Sequence, residues 1–286
     1  MARVLHVDVF TERAYAGNAL AVVLGESMPE PAHMQRVAAW LNLSETAFLL
    51  PPTQPGADYR VRIFTPRQEL PFAGHPSVGA AWAAIRFGLL PDAPGARVQE
   101  CGAGLLPLRI EGRGAARRIH VQAPRAVLRD VLDAATTGRV QQALGTALRG
   151  PAQVVDVGAV WLLADLDTAA AVRGLAPDLS AVARLTQALG CVGIGVFGRE
   201  SEGAAALAVR AFCPGDGIAE DPVTGSANAA IGALLHARGQ LPAVRYAASQ
   251  GREVGRDGRV EVLVQRDGAV WIGGACVLCA EGTLAL

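Results

Sequence analysis

The sequence predicts an α+β protein of two pseudo-symmetric lobes, each a curled, mostly antiparallel sheet around a central apolar helix. Three observations support this fold class. The length of 286 residues suits roughly two domains with one core each. The two halves repeat one order of features: a Val-Arg-x-Phe-x-Pro strand, a short acidic loop, a polar glycine turn and an apolar helix. Both helices are apolar on every face, which is typical of a helix enclosed on all sides.

The repeat places unlike polar groups at matching positions of the two halves. Segment 61–66 corresponds to segment 209–214, and each is followed by a polar turn. The first turn carries His75, whereas the second carries Asp221 and Ser226. We therefore expect two similar lobes that face one cleft, with unlike side chains suited to proton transfer.

The elements of the first half follow from local composition. β-Branched and aromatic residues between turn-rich flanks predict strands, and apolar residues near helical spacing predict helices. These criteria predict strands at 4–9, 19–24, 47–50 and 59–64 and helices at 30–41 and 76–90. Segments 91–97 and 112–118 are rich in proline, glycine and arginine and are expected to be surface loops.

The second half repeats this plan after a connection at 126–150, which is expected to hold a loop and a helix. The same criteria predict strands at 152–157, 161–165, 193–197, 206–212 and 271–278 and helices at 179–189 and 226–239. We place the N-terminal lobe at 1–130, with a C-terminal strand at 277–286 that can complete it, and the C-terminal lobe at 131–276.

Charge and hydropathy narrow the class of partner. Lys+Arg and Asp+Glu both number 26, so the formal net charge is zero and no long-range field attracts nucleic acid or an anionic membrane. A small-molecule partner is expected instead. The N-terminal segment alternates as a strand does, and no apolar run reaches the ~18 residues of a membrane-spanning helix. These observations predict a cytoplasmic protein.

The five cysteines have irregular spacing, which predicts reduced, packed thiols and no disulfide framework. Cys276 and Cys279 form the one Cys-x-x-Cys pair, and it lies in a strand-like segment with no second pair and no nearby histidine. A structural zinc site needs four ligands. We therefore expect no metal site.

Glu45 is the first candidate for acid–base chemistry. It lies between the end of a helix and an apolar strand, where desolvation disfavours its charged form and suits it to exchange a proton. Matching Phe48 with Phe197 puts its counterpart at Gly193 or Ile194, so the repeat keeps a carboxylate on one side. The alternative is that Glu45 satisfies nearby backbone groups and nothing more.

His75, Asp221 and Ser226 are the next candidates. Histidine is the side chain best suited to proton transfer near neutral pH, and a Gly-His-Pro turn before a buried helix is an unusual place for a solvated one. The N–H groups that start both helices need a ligand or a side chain. The alternative for Asp221 and Ser226 is helix capping. Asn18, after a turn, is either a hydrogen-bond partner of a substrate or a left-handed turn residue.

These residues fall in motifs that span almost the whole chain. The motifs are Asp8-x-Phe10-Thr11, Gly17-Asn18, Leu43-Ser44-Glu45-Thr46, Phe64-Thr65-Pro66, Glu69-x-x-Phe72-Ala73-Gly74-His75-Pro76, Glu220-Asp221-Pro222, Thr224-Gly225-Ser226-Ala227 and Gln250-Gly251. Together they resemble the PhzF-like phenazine-biosynthesis family. The resemblance implies the diaminopimelate-epimerase fold of two mirrored lobes, which agrees with the repeat.

The resemblance also implies a reaction similar to that of trans-2,3-dihydro-3-hydroxyanthranilate isomerase, which uses no metal or organic cofactor. It implies that Glu45 moves a proton between two carbons of a cyclohexadiene amino acid, with His75 and Asp221 as the other catalytic residues. The implied substrate-binding residues are Asn18, Gly74, Ser77, Gly225, Ser226 and Ala227. The implied partners are a small carboxylate substrate and a second copy of the chain in a homodimer.

The chain also differs from its relatives. Epimerases and racemases of this fold use two facing cysteines at positions that match Ala73 and Thr224, so a two-thiol reaction is not expected here. Within the family, Ala19 replaces a usual proline and Ser77 a usual threonine, and Gly-Arg-Asp-Gly at 255–258 replaces Gly-Arg-Pro-Ser. The last difference bears on the substrate if the segment lies near the site.

The leading hypothesis is therefore a cofactor-independent isomerase that moves a proton on a small carboxylated cyclic or diene metabolite. The alternative is a non-catalytic metabolite-binding or protein-interaction protein on the same scaffold. Retention of Glu45 favours the isomerase, because carboxylate binding alone has no use for a desolvated base.

Overall fold

The computed structural model describes residues 1–25 and 29–286. The chain forms two compact units, unit 1 of residues 1–122 with 273–286 and unit 2 of residues 123–272. Both units combine helices with a large sheet, so the predicted α+β class is confirmed. The longest described helices have 13 residues, and none of them is long and apolar enough to cross a membrane.

The elements follow one another in similar order in the two units. Unit 1 contains β1 (Ala2–Val9), β2 (Asn18–Leu24), α1 (Pro31–Leu41), β3 (Glu45–Leu50), β4 (Tyr59–Phe64), β5 (Glu69–Leu70), α2 (Gly74–Arg86), β6 (Gly95–Cys101), β7 (Gly104–Glu111) and β8 (Arg118–Gln122). Unit 2 contains β9 (Val127–Val131), α3 (Ala134–Leu144), β10 (Gln153–Asp156), β11 (Val160–Thr168), α4 (Ala169–Arg173), α5 (Leu179–Leu189), β12 (Gly193–Arg199), β13 (Leu207–Cys213), β14 (Ile218–Asp221), α6 (Gly225–Ala237), β15 (Arg245–Gln250) and β16 (Gly258–Val264). The chain then forms β17 (Val270–Gly274) and returns to unit 1 as β18 (Cys276–Leu284).

The sheet of unit 1 is curled around α2. Its strand order is β18-β1-β2-β3-β4-β6-β7-β8, with β2–β3 and β4–β6 parallel and the other pairs antiparallel. α2 contacts strands at both ends of this order, β18 and β8, and 11 of its 13 residues are buried. A Cβ on Gly79 would lie 2.5 Å from Leu20 Cδ2, so α2 packs closely against β2 at this glycine. α1 covers the outer face of the sheet through Met34 and Ala38.

Unit 2 has the same design. Its strand order is β9-β10-β11-β12-β13-β15-β16, with β11–β12 and β13–β15 parallel and the other pairs antiparallel. α6 contacts β10, β11, β12 and β16, and 10 of its 13 residues are buried. Helices α3, α4 and α5 pack on the outer face. The prediction of an all-round apolar helix inside each sheet is confirmed.

The strand register identifies which residues of the two units correspond. Phe64 lies opposite Thr46 in unit 1, and Phe212 lies opposite Ile194 in unit 2. The residue that precedes Thr46 is Glu45, so its counterpart is Gly193. The sequence match of Phe48 with Phe197 is displaced by one residue, because the strand register aligns Phe48 with Val196.

Several predicted boundaries differ from the structure. α2 begins at Gly74, two residues before Pro76, because proline is tolerated in the first turn, where N–H groups lack intrahelical partners. The helix ends at Arg86 instead of 90. α6 begins at Gly225 instead of 226. The expected loop at 91–97 already contains the start of β6, and the loop at 112–118 contains a short 3-10 turn. The strand expected at 271–278 is divided at Ala275, whose carbonyl accepts hydrogen bonds from the N–H groups of Phe10 and Thr11.

The repeated Arg-x-Phe sequence makes the same ion pair in both units. Arg62 donates from Nε and Nη2 to the two carboxylate oxygens of Glu69 at 2.7 and 2.6 Å. Arg210 donates in the same way to Glu220 at 2.9 and 2.7 Å. The pairs differ in burial: both side chains are 8% exposed in unit 2, whereas Glu69 is 39% exposed.

Candidate active site

In unit 1, the structure brings Glu45 and His75 together. Glu45 is the first residue of β3 and His75 the second residue of α2, and Glu45 Oε2 lies 3.4 Å from His75 Nε2. Side chains alternate along a strand. Phe48 therefore faces the outer layer with α1, and Glu45 faces the central helix. The side chains of Glu45 and His75 are 17% and 6% exposed, so the pair is largely shielded from water.

Burial determines the charge state of His75. Desolvation lowers the pKa of His75 from 6.5 to about 3, so the imidazole is neutral throughout the physiological range. The contact with Glu45 is therefore between a carboxyl group and a neutral imidazole. Such a pair can hold one proton and orient the carboxyl group without fixing it in a permanent ion pair.

The neutral state of His75 predicts acid-dependent stability. Below pH ~6.5 the unfolded chain binds a proton at this residue and the folded chain does not, so the free energy of unfolding falls as pH drops from 6.5 to about 3. The slope contributed by one such group approaches about 1.4 kcal/mol per pH unit. His75→Gln is expected to flatten this part of the curve, measured by urea unfolding at pH 7, 5.5 and 4. An unchanged slope in the variant would show that His75 is protonated in the folded protein.

The start of α2 presents backbone donors beside this pair. Ala73 is the N-cap residue and supplies no side-chain cap, which leaves the N–H groups of Gly74 and His75 without intrahelical acceptors. Ser77 differs, since its N–H and its hydroxyl both bind the carbonyl of Ala73, at 3.2 and 2.8 Å. Its hydroxyl also accepts from Gln99 Nε2 at 2.9 Å. Ser77 thus holds the turn in place from within the core.

Asn18 lies next to the strand that carries Glu45. It is 1% exposed, begins β2 and accepts a hydrogen bond from Ser44 Oγ at 3.2 Å. The left-handed alternative for Asn18 is wrong, because the positive φ angles of this loop belong to Phe10 and Tyr15. Gly17 approaches β1 so closely that a Cβ would lie 2.4 Å from the Val9 carbonyl oxygen.

In unit 2, the start of α6 presents a second set of donors. Thr224 is the N-cap residue and provides no side-chain cap, so the N–H groups of Gly225, Ser226 and Ala227 lack intrahelical acceptors. Ser226 is half-buried, and its Oγ accepts a hydrogen bond from Trp161 Nε1 at 3.0 Å. Three adjacent N–H groups and a hydroxyl at a helix N-terminus form an arrangement suited to an anion.

Asp221 is held by a buried network at the same turn. Thr224 Oγ1 donates to Asp221 Oδ2 at 2.5 Å and accepts from Gln250 Nε2 at 2.8 Å. Gln250, which is fully buried, also donates to the Asp221 carbonyl and accepts from the Thr224 N–H and from Asn228 Nδ2. Asp221 ends β14 and lies four residues before Gly225, the first residue of α6, and the N-cap position belongs to Thr224.

The two positions that the resemblance matches to cysteines of two-thiol enzymes lie at equivalent points of the fold. Ala73 and Thr224 are the N-cap residues of α2 and α6, and neither carries sulfur. The Thr224 hydroxyl is engaged between Asp221 and Gln250. The start of each central helix is therefore without the thiolate that a two-thiol proton transfer needs.

Segment 255–258 packs against the loop that follows Asp221. A Cβ on Gly258 would lie 2.4 Å from Val223 Cγ2, and one on Gly251 would lie 2.5 Å from the Pro222 carbonyl oxygen. Gly251 also has a φ of +101°, which favours glycine. Gly258 thus brings segment 255–258 against Val223, two residues after Asp221, in unit 2.

Three residues that hydrogen-bond to candidate site residues have no role in the sequence-based prediction: Gln99, Gln250 and Trp161. The sequence marks Gln250 through the Gln250-Gly251 motif of the resemblance, but that motif does not indicate a role for the side chain. Gln99 and Trp161 reach their serine partners from strands 22 and 65 residues away, and no local pattern marks them. Within the described ranges, no group of three His, Cys, Asp or Glu side chains is placed to hold a metal ion.

Comparison with known proteins agrees with this architecture. Residues 7–282 match the family model for phenazine biosynthesis-like proteins. Antisense-enhancing sequence 1 of Schizosaccharomyces pombe is 33% identical, and the match covers 96% of each chain. An uncharacterized isomerase of Escherichia coli K12 is 34% identical, and the match covers 92% of this chain and 90% of the isomerase. A predicted epimerase of known structure from Pseudomonas aeruginosa is 31% identical, with a TM-score of 0.84 and full coverage of both chains. A probable proline racemase from Agrobacterium radiobacter, at 15% identity and a TM-score of 0.73, shares the fold, covering 100% of this chain and 93% of its own.

Proposed function

The chain belongs to the phenazine biosynthesis-like protein family and is an isomerase, and from that premise we propose that it moves a proton between two carbons of a small carboxylated cyclic or diene metabolite without a cofactor. The observation that supports this proposal is the pair formed by Glu45 and His75. A shielded carboxyl group lies 3.4 Å from a neutral imidazole at the start of a helix. This environment suits a carboxyl group that takes up a proton and returns it in each turnover.

In the proposed reaction, Glu45 is the proton carrier. Its carboxylate takes a proton from one carbon, and the bonding electrons move into the conjugated system of the substrate. The carboxylic acid then returns the same proton to a second carbon, which restores the carboxylate. His75 orients the carboxyl group and polarises the substrate, and because it is neutral it does not stabilise the carboxylate so strongly that proton uptake becomes unfavourable.

The helix starts supply the groups for substrate binding. We assign the substrate carboxylate to the N–H groups of Gly225 and Ala227 and to Ser226, where donors and the helix dipole favour an anion. Asp221 binds an amine or hydroxyl group of the substrate as an acceptor.

Asn18 and Ser77 have different proposed roles. Asn18 contacts Ser44 beside Glu45, and we assign it to the substrate-binding set. Ser77 is fully buried, with its hydroxyl bound to Ala73 and Gln99, so it acts by fixing the turn that presents Gly74 and His75.

A thermal-shift comparison of three probes tests this assignment. 2-Aminobenzoate and benzoate are expected to raise the Tm, and the neutral benzamide to raise it much less, because the donors at the helix start favour a negative charge. At 100 times the Kd the stabilisation is about 2.7 kcal/mol. Ser226→Ala should reduce the shift for both carboxylates. Equal shifts with benzamide, or full shifts in the variant, would contradict the proposed carboxylate site.

A further inference from the structure

The two units differ most at one pair of corresponding positions. Ser226 is the second residue of α6, as His75 is of α2, and Gly193 stands where unit 1 has Glu45. Unit 2 therefore has neither the carboxylate nor the imidazole. A tryptophan, Trp161, lies next to Gly193 in the parallel pair of β11 and β12.

The indole of Trp161 covers the place that Glu45 occupies in unit 1. A Cβ on Gly193 would lie 2.9 Å from Trp161 Cζ3 and 2.5 Å from the carbonyl oxygen of Phe212. No side chain can therefore be accommodated at Gly193 while the indole is in place. Trp161 is itself 3% exposed, so packing fixes its orientation.

The same indole determines how the hydroxyl of Ser226 can bond. Indole Nε1–H is a donor and has no acceptor capacity, and it donates to Ser226 Oγ at 3.0 Å. A hydroxyl has one proton to donate, so the proton of Ser226 is left for another acceptor. Ser226 is half-buried, and the N–H groups of Gly225 and Ala227 beside it lack intrahelical acceptors. An anion bound at this turn would accept hydrogen bonds from the Ser226 hydroxyl and from these N–H groups.

We propose that Trp161 is a positioning residue that commits the Ser226 hydroxyl to donate to the substrate carboxylate. The inference rests on the proposed role of Ser226 in the function above. It also explains the asymmetry of the repeat, since the indole replaces an acid–base pair with a set of hydrogen-bond donors. The turn at the start of α6 then offers these donors to the carboxylate.

A double-mutant cycle tests the coupling between the two residues. The Kd of 2-aminobenzoate is measured for the wild type, Trp161→Phe, Ser226→Ala and the double variant. Ser226→Ala and Trp161→Phe are each expected to weaken binding by about 3- to 10-fold. In the Ser226→Ala background, Trp161→Phe should change the Kd less than twofold, because its partner is gone. Trp271→Phe removes another buried indole N–H in unit 2 and is expected to leave the Kd unchanged.

The outcomes separate the inference from the function on which it rests. A wild-type Kd for Ser226→Ala would overturn the proposed carboxylate contact itself. Two outcomes would overturn the role of Trp161 and leave the function intact. In the first, Ser226→Ala raises the Kd and Trp161→Phe leaves it unchanged. In the second, Trp161→Phe raises the Kd equally with and without Ser226→Ala. If Trp161→Phe does not fold, the nitrogen-15 spectrum of the wild type replaces it. The Trp161 indole resonance should move when 2-aminobenzoate binds and when Ser226 is changed to alanine, and a resonance that moves in neither case contradicts the proposal.

Discussion

Glu45→Gln is expected to lower turnover by about 10²–10⁴-fold, the usual contribution of a positioned acid–base group, while the fold and carboxylate binding persist. The amide has nearly the size and shape of the carboxyl group but cannot accept a proton near neutral pH. The side chain is 17% exposed and lies against His75, so the substitution preserves volume at a packed position. Steady-state rates with any substrate found for the protein, together with the Kd of 2-aminobenzoate, separate the loss of chemistry from a loss of binding.

An isotope experiment and a matched control complete this test. With substrate deuterated at the donor carbon, part of the label should appear at the acceptor carbon, because a shielded carboxyl group returns the proton before it exchanges fully with water. Glu69→Gln makes the same chemical change in unit 1 at a residue that is 39% exposed and bonded to Arg62, and it should leave turnover within about twofold, as surface changes typically have small effects. If Glu45→Gln turned over substrate within a factor of about three of the wild type, Glu45 would not be the base. The binding-protein hypothesis would then be preferred.

Arg210→Met is expected to lower the free energy of unfolding by about 3–5 kcal/mol, the usual cost of leaving a buried charge without its partner. Arg210 donates two bonds to Glu220 and a third to the Leu175 carbonyl at 2.8 Å, and its guanidinium lies 4.8 Å from the centre of the Phe212 ring. Removing it strands a carboxylate that is 8% exposed.

Arg62→Met is the matched control for Arg210, because the repeat gives both arginines the same two bonds to a glutamate. Since Glu69 remains 39% exposed, water can replace the arginine there, and we expect a loss of about 1 kcal/mol or less. Urea unfolding of the two variants, with comparable m-values, gives the comparison. Equal losses would mean that burial does not determine the strength of this repeated ion pair.

The sequence predicted features that depend on composition and on the repeat. α2 and α6 were identified as enclosed helices because nearly every residue in them is small or apolar, a property that needs no tertiary information. Glu45 and His75 were selected separately, and the distance of 3.4 Å between them is a result of the fold.

Other features depend on register and long-range contact, which the sequence does not display. Phe48 and Phe197 are both aromatic residues in apolar strands, and pairing them displaced the match by one position, although the strands align Phe48 with Val196. The contact of Trp161 with Ser226 joins a strand start to a helix start 65 residues later. Hydrophobic periodicity reports which face of an element is buried, and it carries no information about such partners.

The return of the chain to unit 1 has a consequence for biosynthesis. β1 pairs along its length with β18, so Ala2 lies opposite Leu284, and the sheet of unit 1 stays incomplete until the ribosome has released residues 276–284. Unit 2, a continuous segment from 123 to 272, emerges earlier and can reach its native state first. Until then the nascent N-terminal strand exposes an open backbone edge that can pair with other chains. β18 therefore covers the edge of β1 and protects it from pairing with other chains.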